Sequence, residues 1–438
     1  MLRVLSYPSL RAERFLKSLL TRIEEYPKKL ERSVERIGQE VKKRGDMALL
    51  EYTLRFDGVL LDKEGLQVRE REIDEAYKRI DGDLLEAIRL AIHKVKSFHE
   101  KALPLSWFDS REGGITLGQV VRPVESAGLY IPGGKGGETP LISTVIMTAV
   151  PARIAGVKKI YLVSPPRKDK SLHPALLVAA KEAGVDTIFR TGGPWSIFAL
   201  AYGTESIPKV EIICGPGNIY VTLAKKLVSF QVGIDFLAGP SEVLIIADES
   251  ADPEFAVWDL LAQAEHDPLS MSLLITPSRK LLKEVQRLIP QALSRGFRRE
   301  IAEESLRKRG ALIRVESLDV AFELANLIAP EHLEIMTQSP LEYLNKVKNA
   351  GAVFLGAYTP EAMGDYMAGP NHVLPTMGLA RFTSALSAEK FLKKINFIQY
   401  TPLALQREAE KVIYLAEAEN LPSHAEAVRV RLRKRRGT

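Results

Sequence analysis

At 438 residues the chain exceeds what one hydrophobic core usually serves, so two sizeable domains plus extra segments are expected. With 46% hydrophobic and 26% charged residues it has the composition of an ordinary globular protein, and no apolar run reaches the ~18 residues that span a bilayer, which excludes membrane-spanning helices. The net charge of +6 is no nucleic-acid signature: six basic residues lie between Arg429 and Arg436, and the other 55 face 55 acidic residues.

The N-terminus MLRVLSYPSLRAERF has neither the apolar core nor the cleavage site of a signal peptide, so a cytoplasmic protein is expected, and residues 1–25 read as a short basic helical segment. Long amphipathic patterns follow, SVERIGQEVKKRGDMALLEYTLRF and the stretch from Ile73 to Ala102, with apolar residues at three- and four-residue spacing. From Ile115 short β-rich runs (ITLGQVV, KKIYLV, TIFR, VEIIC, EVLIIAD, MSLLIT, ALIRV, LEIM, AVFLG) alternate with helical stretches, the pattern of parallel sheets covered by helices. Two junctions rich in glycine and proline, Ile131–Gly137 and Leu237–Glu242, divide this region. The expected fold is α/β with two Rossmann-like doubly wound domains, one inserted in the other: 26–129 with 243–386 as the first, carrying the metal and catalytic site, and 130–242 as the second. After about Ser387 the strands give way to helices. The segment 387–438 lacks a core of its own and is expected to dock on a second subunit, both terminal helical segments being exchanged in a dimer.

Four local patterns carry possible chemistry. In AQAEHDP, Gln263 and His266 stand three residues apart in the last turn of a helix expected to end at Pro268, where two side chains on one face can aim at one point; taken alone, such a pair is usually solvated. In APEHLE, Glu331 adjoins His332, and a carboxylate beside an imidazole can exchange protons near neutral pH. Asp365 and His372 flank an Ala-Gly-Pro loop that follows a strand, where sites in α/β sheets commonly sit. Glu419 and His424 fall in AEAENLPSHAE. Glutamine, histidine, aspartate and histidine together suit Zn²⁺, and Mn²⁺ also fits. The other histidines, His93, His99 and His173, lie in helical patterns and read as packed or solvated. A complete G-x-G-x-x-G or P-loop pattern is absent, yet both glycine-rich turns precede helices, Thr139-Pro140 reading as N-cap and first residue, and amides there suit a pyrophosphate or simply form a tight turn. The single cysteine, Cys214, reads as a small hydrophobe at a strand end.

Together GLYIPGGKGG, ALAYGT, CGPGN, GIDFLAGPSEVLIIAD, DLLAQAEHDP, APEHLEI, GAVFLG, MGDYMAGPNHVLPT, ARFTSALS and AEAENLPSHAEAVRVR make the chain resemble the histidinol dehydrogenase family. The resemblance implies a zinc-dependent homodimer that oxidises L-histidinol to L-histidine with two NAD⁺, the final steps of histidine biosynthesis. It implies that Gln263, His266, Asp365 and His424 hold the zinc, His424 arriving from the partner subunit, and that Glu331 and His332 are the acid–base pair. Ser241, His372 and Glu419 match further substrate positions beside the four zinc ligands and His332, and Tyr130 and Asn218 match NAD contacts. One departure stands out: the family's Gly-Gly-Ala-Gln reads Gly192-Gly-Pro-Trp195 here, and Trp195 either stacks on the cofactor, the reading adopted, or packs in the core. Alternatives are a related NAD- and zinc-dependent dehydrogenase of another small hydroxylated substrate, a zinc hydrolase using Glu331, and a non-enzymatic nucleic-acid or regulatory protein resting on the basic tail. Turnover without a dinucleotide would mark the hydrolase, and salt-sensitive binding lost with the tail would mark the nucleic-acid reading.

Overall fold

The computed structural model describes residues 2–22, 28–111, 113–134, 137–296 and 298–433; Lys135 and Gly136 of the first glycine-rich turn, and 434–438 of the basic tail, lie outside the described residues. In chain order the strands are β1 (Arg3–Ser6), β2 (Trp107–Arg111), β3 (Ile115–Pro123), β4 (Ser126–Tyr130), β5 (Lys159–Ser164), β6 (Thr187–Arg190), β7 (Ile212–Cys214), β8 (Gly233–Ile234), β9 (Glu242–Ala247), β10 (Met271–Thr276), β11 (Ala311–Arg314), β12 (His332–Met336), β13 (Ala352–Leu355) and β14 (Leu392–Tyr400). They belong to two units, residues 1–102 with 124–391, and 103–123 with 392–438.

The first unit holds two parallel sheets. The larger has six strands in the order β1-β11-β10-β9-β12-β13. Its middle strands EVLIIA and MSLLIT are buried along their whole length, as a sheet covered on both faces requires. Alternate residues serve separate cores: Leu244, Ile246 and Leu273 pack on one face, and Val243, Ile245 and Leu274 on the other. Each such side chain contributes roughly 1.5–3 kcal/mol of burial. The smaller sheet has five strands in the order β6-β5-β4-β7-β8, which reverses direction of growth between β4 and β7. That reversal opens a crevice at the carboxyl ends of the two strands, the usual seat of a dinucleotide. The doubly wound α/β expectation thus holds.

Several expected boundaries differ from the structure. Residues 1–25 are not purely helical: RVLS forms β1 and pairs with β11, a four-residue strand too short to show a period. The helical stretch before Asp57 breaks at Gly45, whose φ of +53° a glycine tolerates, and its first part, Lys28–Arg44, packs Val34, Ile37 and Val41 into the core of the smaller sheet with Phe198. An amphipathic face reports that a helix is covered, not by which sheet. The first glycine-rich turn leads to helix Ile142–Ala155, capped at Leu141 with no side-chain bond, so Thr139 is not its N-cap.

The second unit is a three-stranded antiparallel sheet, order β14-β3-β2, followed by helices Pro402–Ala418 and Pro422–Arg433 packed on each other. ITLGQVV is therefore antiparallel, paired from Ile115↔Tyr400 to Pro123↔Leu392, and segment 387–438 contains a long strand. Strand β14 escapes sequence reading because it is mostly exposed and carries no continuous apolar run. Trp107, Phe108, Ile398, Tyr414 and Leu415 of this unit are exposed apolar side chains.

His99, in helix Gly82–Glu100, is 1% exposed and neither ring nitrogen has a hydrogen-bond partner among the described residues. Burial lowers its pKa to about 4. An imidazole that stays neutral when folded but binds a proton when unfolded stabilises fully above its ordinary pKa, and that stability is lost as pH falls from about 6.5 towards 4. His99→Leu should therefore gain on the parent by up to about 2 kcal/mol between pH 7 and 4.5 in urea unfolding; a pH-independent difference would mean that the ring titrates normally.

Candidate active site

The site begins at the amino-terminal edge of the larger sheet, where β9 starts with Glu242 and β12 starts with His332, opposite Val243. Helix Leu318–Ile328 stops at Ala329, which takes a left-handed φ of +52°, and Pro330 bars continuation, turning the chain into β12. Glu331 and His332 are both buried. The N–H of Glu242 donates to Glu331 Oε2 at 2.9 Å, and its carbonyl lies 3.0 Å from His332 Nδ1. A carbonyl only accepts, so Nδ1 carries the proton and Nε2 keeps its lone pair. Burial lowers the His332 pKa to about 3. It pushes Glu331 well above the usual carboxylate range, opposed by the Glu242 amide. The arrangement is a neutral base of fixed tautomer beside a carboxyl that favours its proton.

Around this pair lies a set of donors. Helix Pro253–Ala264 opens with Asp252 capping the Glu254 N–H and Pro253 in its first turn. It ends at Ala264 rather than at Pro268, so Gln263 is in its last turn and His266 just beyond, with the His266 N–H on the Gln263 carbonyl. Such a helix end carries partial negative charge and favours a cation. Gln263 is 0% exposed, and both its amide oxygen and nitrogen lack a hydrogen-bond partner among the described residues. Helix Glu361–Tyr366 supplies Glu361 and Asp365, four residues apart on one face. One ligand atom each of His266, Glu361 and Asp365 lie within 4.8 Å of one another. Glu361 Oε1 is also 3.6 Å from His332 Nδ1. Burial raises Asp365 to about 6, tempered by His266, and raises Glu361, with Asp365 and Glu331 adding to it. Crowded acids, an imidazole and an orphaned buried amide oxygen are a donor set that fits a divalent cation. Glu361 was not foreseen, although its four-residue spacing from Asp365 on a helix is a readable signal.

The remaining expected residues divide in two. His372 sets Nδ1 3.0 Å from the Asp365 carbonyl, and Ser241 is half-buried directly before Glu242. Glu419 and His424 lie in the second unit, exposed, on either side of the turn through Asn420 that joins its two helices. Asp365 stands on a helix, not in the loop expected after AVFLG, and the acid–base pair lies at the start of β12.

At the carboxyl edge of the smaller sheet, Tyr130 ends β4 and Cys214 ends β7. Gly215 follows with φ +120°, and a Cβ there would stand 2.1 Å from the Tyr130 carbonyl, so only glycine lets the strands end this close. Its carbonyl accepts from Lys225 Nζ and its N–H donates to Asp235, a buried pair bridged at 2.7 Å that pins the turn. Asn218, exposed, caps helix Ile219–Val228 through the Tyr220 and Val221 amides. Residues 235–241 join this edge to the start of β9, which brings the dinucleotide-type crevice and the acid–base pair to neighbouring ends of the chain path. Tyr130 is buried. Trp195 is 4% exposed and stacks on Phe56 and Tyr52 at 5.3 and 5.7 Å, its indole N–H without a hydrogen-bond partner among the described residues. This packing is what the core alternative for Trp195 describes, and the neighbouring ring of Phe56 is 56% exposed.

The family model of histidinol dehydrogenase matches residues 20–432. The histidinol dehydrogenase of a Synechococcus species is 53% identical over 401 residues, covering 92% of each chain, and that of Desulfotalea psychrophila is 49% identical over 418 residues, covering 95% of this chain and 96% of its own. The crystal structure of histidinol dehydrogenase from Elizabethkingia anophelis superposes with a TM-score of 0.92 at 37% identity, over 99% of this chain and 98% of its own.

Removing one donor from such a set should loosen the ion without unfolding the chain. His266→Ala is expected to lower Zn²⁺ affinity about tenfold or more, read by metal analysis after dialysis against a weak chelator; full retention would remove His266 from the set.

Proposed function

Because this chain belongs to the histidinol dehydrogenase family, we propose that it oxidises L-histidinol through the aldehyde to L-histidine with two NAD⁺, at a zinc-dependent site, as the last steps of histidine biosynthesis. The observation that carries this reading is His332, a buried neutral imidazole whose Nδ1 is tied to the Glu242 carbonyl beside donors that fit a divalent cation.

In the first oxidation His332 Nε2 takes the hydroxyl proton while the carbinol carbon gives a hydride to the nicotinamide, leaving the aldehyde and one NADH. In the second, Glu331 takes a proton from water as the water oxygen adds to the aldehyde carbon, while His332 returns the proton it took in the first step to the aldehyde oxygen. The resulting gem-diol loses a hydride to a second NAD⁺ as His332, neutral again, accepts a hydroxyl proton, and the acid so formed releases its remaining proton to solvent as the carboxylate. Glu331 must be ionised for this step, and the Glu242 amide favours that form against the effect of burial. Gln263, His266, Asp365 and His424 would hold zinc, which when bound anchors the substrate's imidazole and amino group and so orients the carbinol. Ser241, His372 and Glu419 complete the substrate pocket in this reading, and Tyr130 and Asn218 the cofactor site. The protein acts as a homodimer in which Glu419 and His424 serve the partner's site; their exposure on a unit bearing exposed apolar side chains supports this.

Two measurements test the reading. Purified protein with zinc should form two NADH per histidinol consumed with little free aldehyde; one NADH with accumulating aldehyde would contradict a single site serving both steps. Refolding His266→Ala together with His424→Ala should return roughly a quarter of parental activity, since about half the dimers are mixed and each has one intact site. Mixed dimers confirmed by mass spectrometry but inactive would place His424 in the same subunit's site or outside it.

A further inference from the structure

Arg22 follows the helix Leu10–Leu20 and lies far from Glu331 and His332 in sequence, yet it is bonded to both segments that hold them. Its Nε and Nη2 donate to Glu242 Oε1 and Oε2 at 2.6 and 3.1 Å, Nη1 donates to the Leu19 carbonyl at 2.5 Å, and Nη2 also donates to the Ile328 carbonyl at 2.9 Å. Glu242 Oε1 further accepts the Met377 N–H at 3.1 Å. Both side chains of this ion pair are 2% exposed.

A buried pair of this kind is weak evidence for stability, because desolvation offsets most of its attraction and an apolar replacement often folds as well. What it can supply is position. Glu242 is the residue whose backbone N–H and carbonyl hold Glu331 and His332, and Ile328 is the last residue of the helix that delivers them. One planar guanidinium thus fixes the start of β9 and the turn 328–331 against each other, and through Met377 it steadies the segment that follows His372. A lysine ammonium, a point charge without the fork, cannot hold all these acceptors at once.

We propose that Arg22 is a positioning residue for the oxidation: through Glu242 and Ile328 it sets the geometry in which the Glu242 backbone orients His332 and Glu331. This rests on the histidinol oxidation proposed above. Small displacements of a general base cost rate more than binding. Arg22→Met should therefore lower kcat for both histidinol and histidinal about thirtyfold or more, with KM for both substrates within about threefold and zinc content unchanged. Arg22→Lys should be intermediate, and added guanidinium ion should restore part of the rate of Arg22→Met. Normal kcat in a folded Arg22→Met, whatever its melting temperature, would overturn the proposal, as would a loss confined to KM. If Arg22→Met does not fold, Arg22→Lys decides: parental kcat there overturns it. Nitrogen NMR of labelled histidine gives a readout independent of turnover. The His332 ring should be protonated at Nδ1 alone in the parent and mixed in the Arg22 variants, and an unchanged tautomer would overturn the proposal. Should the unsubstituted protein fail to reduce NAD⁺ with histidinol, the functional reading falls, while the tautomer measurement still judges the positioning claim.

Discussion

A parallel sheet must satisfy the backbone groups of every strand, and where a neighbour starts late those groups are left facing empty space. At the start of β9 the neighbour is β12, which enters the ladder opposite Val243, so no residue of the β12 strand faces Glu242 itself. The Glu331 carboxylate takes the Glu242 N–H, and the His332 ring lies against the Glu242 carbonyl. Glu331 is therefore secured by a demand that the sheet would have to meet anyway, and His332 is held beside it. The orientation of the pair is as firm as the sheet, and adjacent residues, which would normally point to opposite faces, converge because Glu331 precedes the strand proper.

The electrostatics of the site follow from where this edge lies. Strand starts, the negative end of helix Pro253–Ala264 and a short helix with two acids on one face meet where Glu361 is buried, Asp365 half-buried and His266 exposed. Glu331, Glu361 and Asp365 all lose hydration there, and repulsion from Asp365 adds to the cost of ionising Glu331 and Glu361. Such a site is at odds with itself until protons or a cation compensate it, and the unpartnered amide of Gln263 points the same way. Among the described residues the smaller sheet has no cluster of acids and histidines of that kind. Its crevice is defined by backbone geometry at Gly215 and by the Lys225–Asp235 pair, which suits a large ligand held through shape and main-chain groups.

What the sequence made legible depended on how much of the constraint was local. The fully covered strands EVLIIA and MSLLIT announce themselves as apolar runs, and the helix end at Gln263 is foretold by Pro268 within a few residues. The gathering of Glu331, His332, Asp365, His266 and His372 was legible only through family motifs, because spacing within each stretch is silent about which stretches meet. Trp195 looked like a cofactor contact since its position belongs to a cofactor turn; only the packing of Tyr52 and Phe56, some 140 residues earlier in the chain, shows the indole covered. Strand β1 and strand β14 were missed for opposite reasons, one too short to have a period and the other too exposed to look apolar. Glu361 could have been found, because two acids four apart on a helix share a face without any tertiary information.

The pairing of β1 with β11 has a consequence for how the protein is made. Arg3–Ser6 meets its partner only at Ala311–Arg314. At ribosomal rates of about 5–20 residues per second, the first strand emerges roughly 15–60 s before the strand it pairs with. During that interval the smaller sheet, whose strands all lie between Ser126 and Ile234, can assemble from segments already synthesised. The larger sheet cannot close. Its edge strand waits as an unpaired template, the form of exposed backbone that invites mispairing, and its four-residue length is a safeguard suited to a strand that must stay unpaired for most of translation.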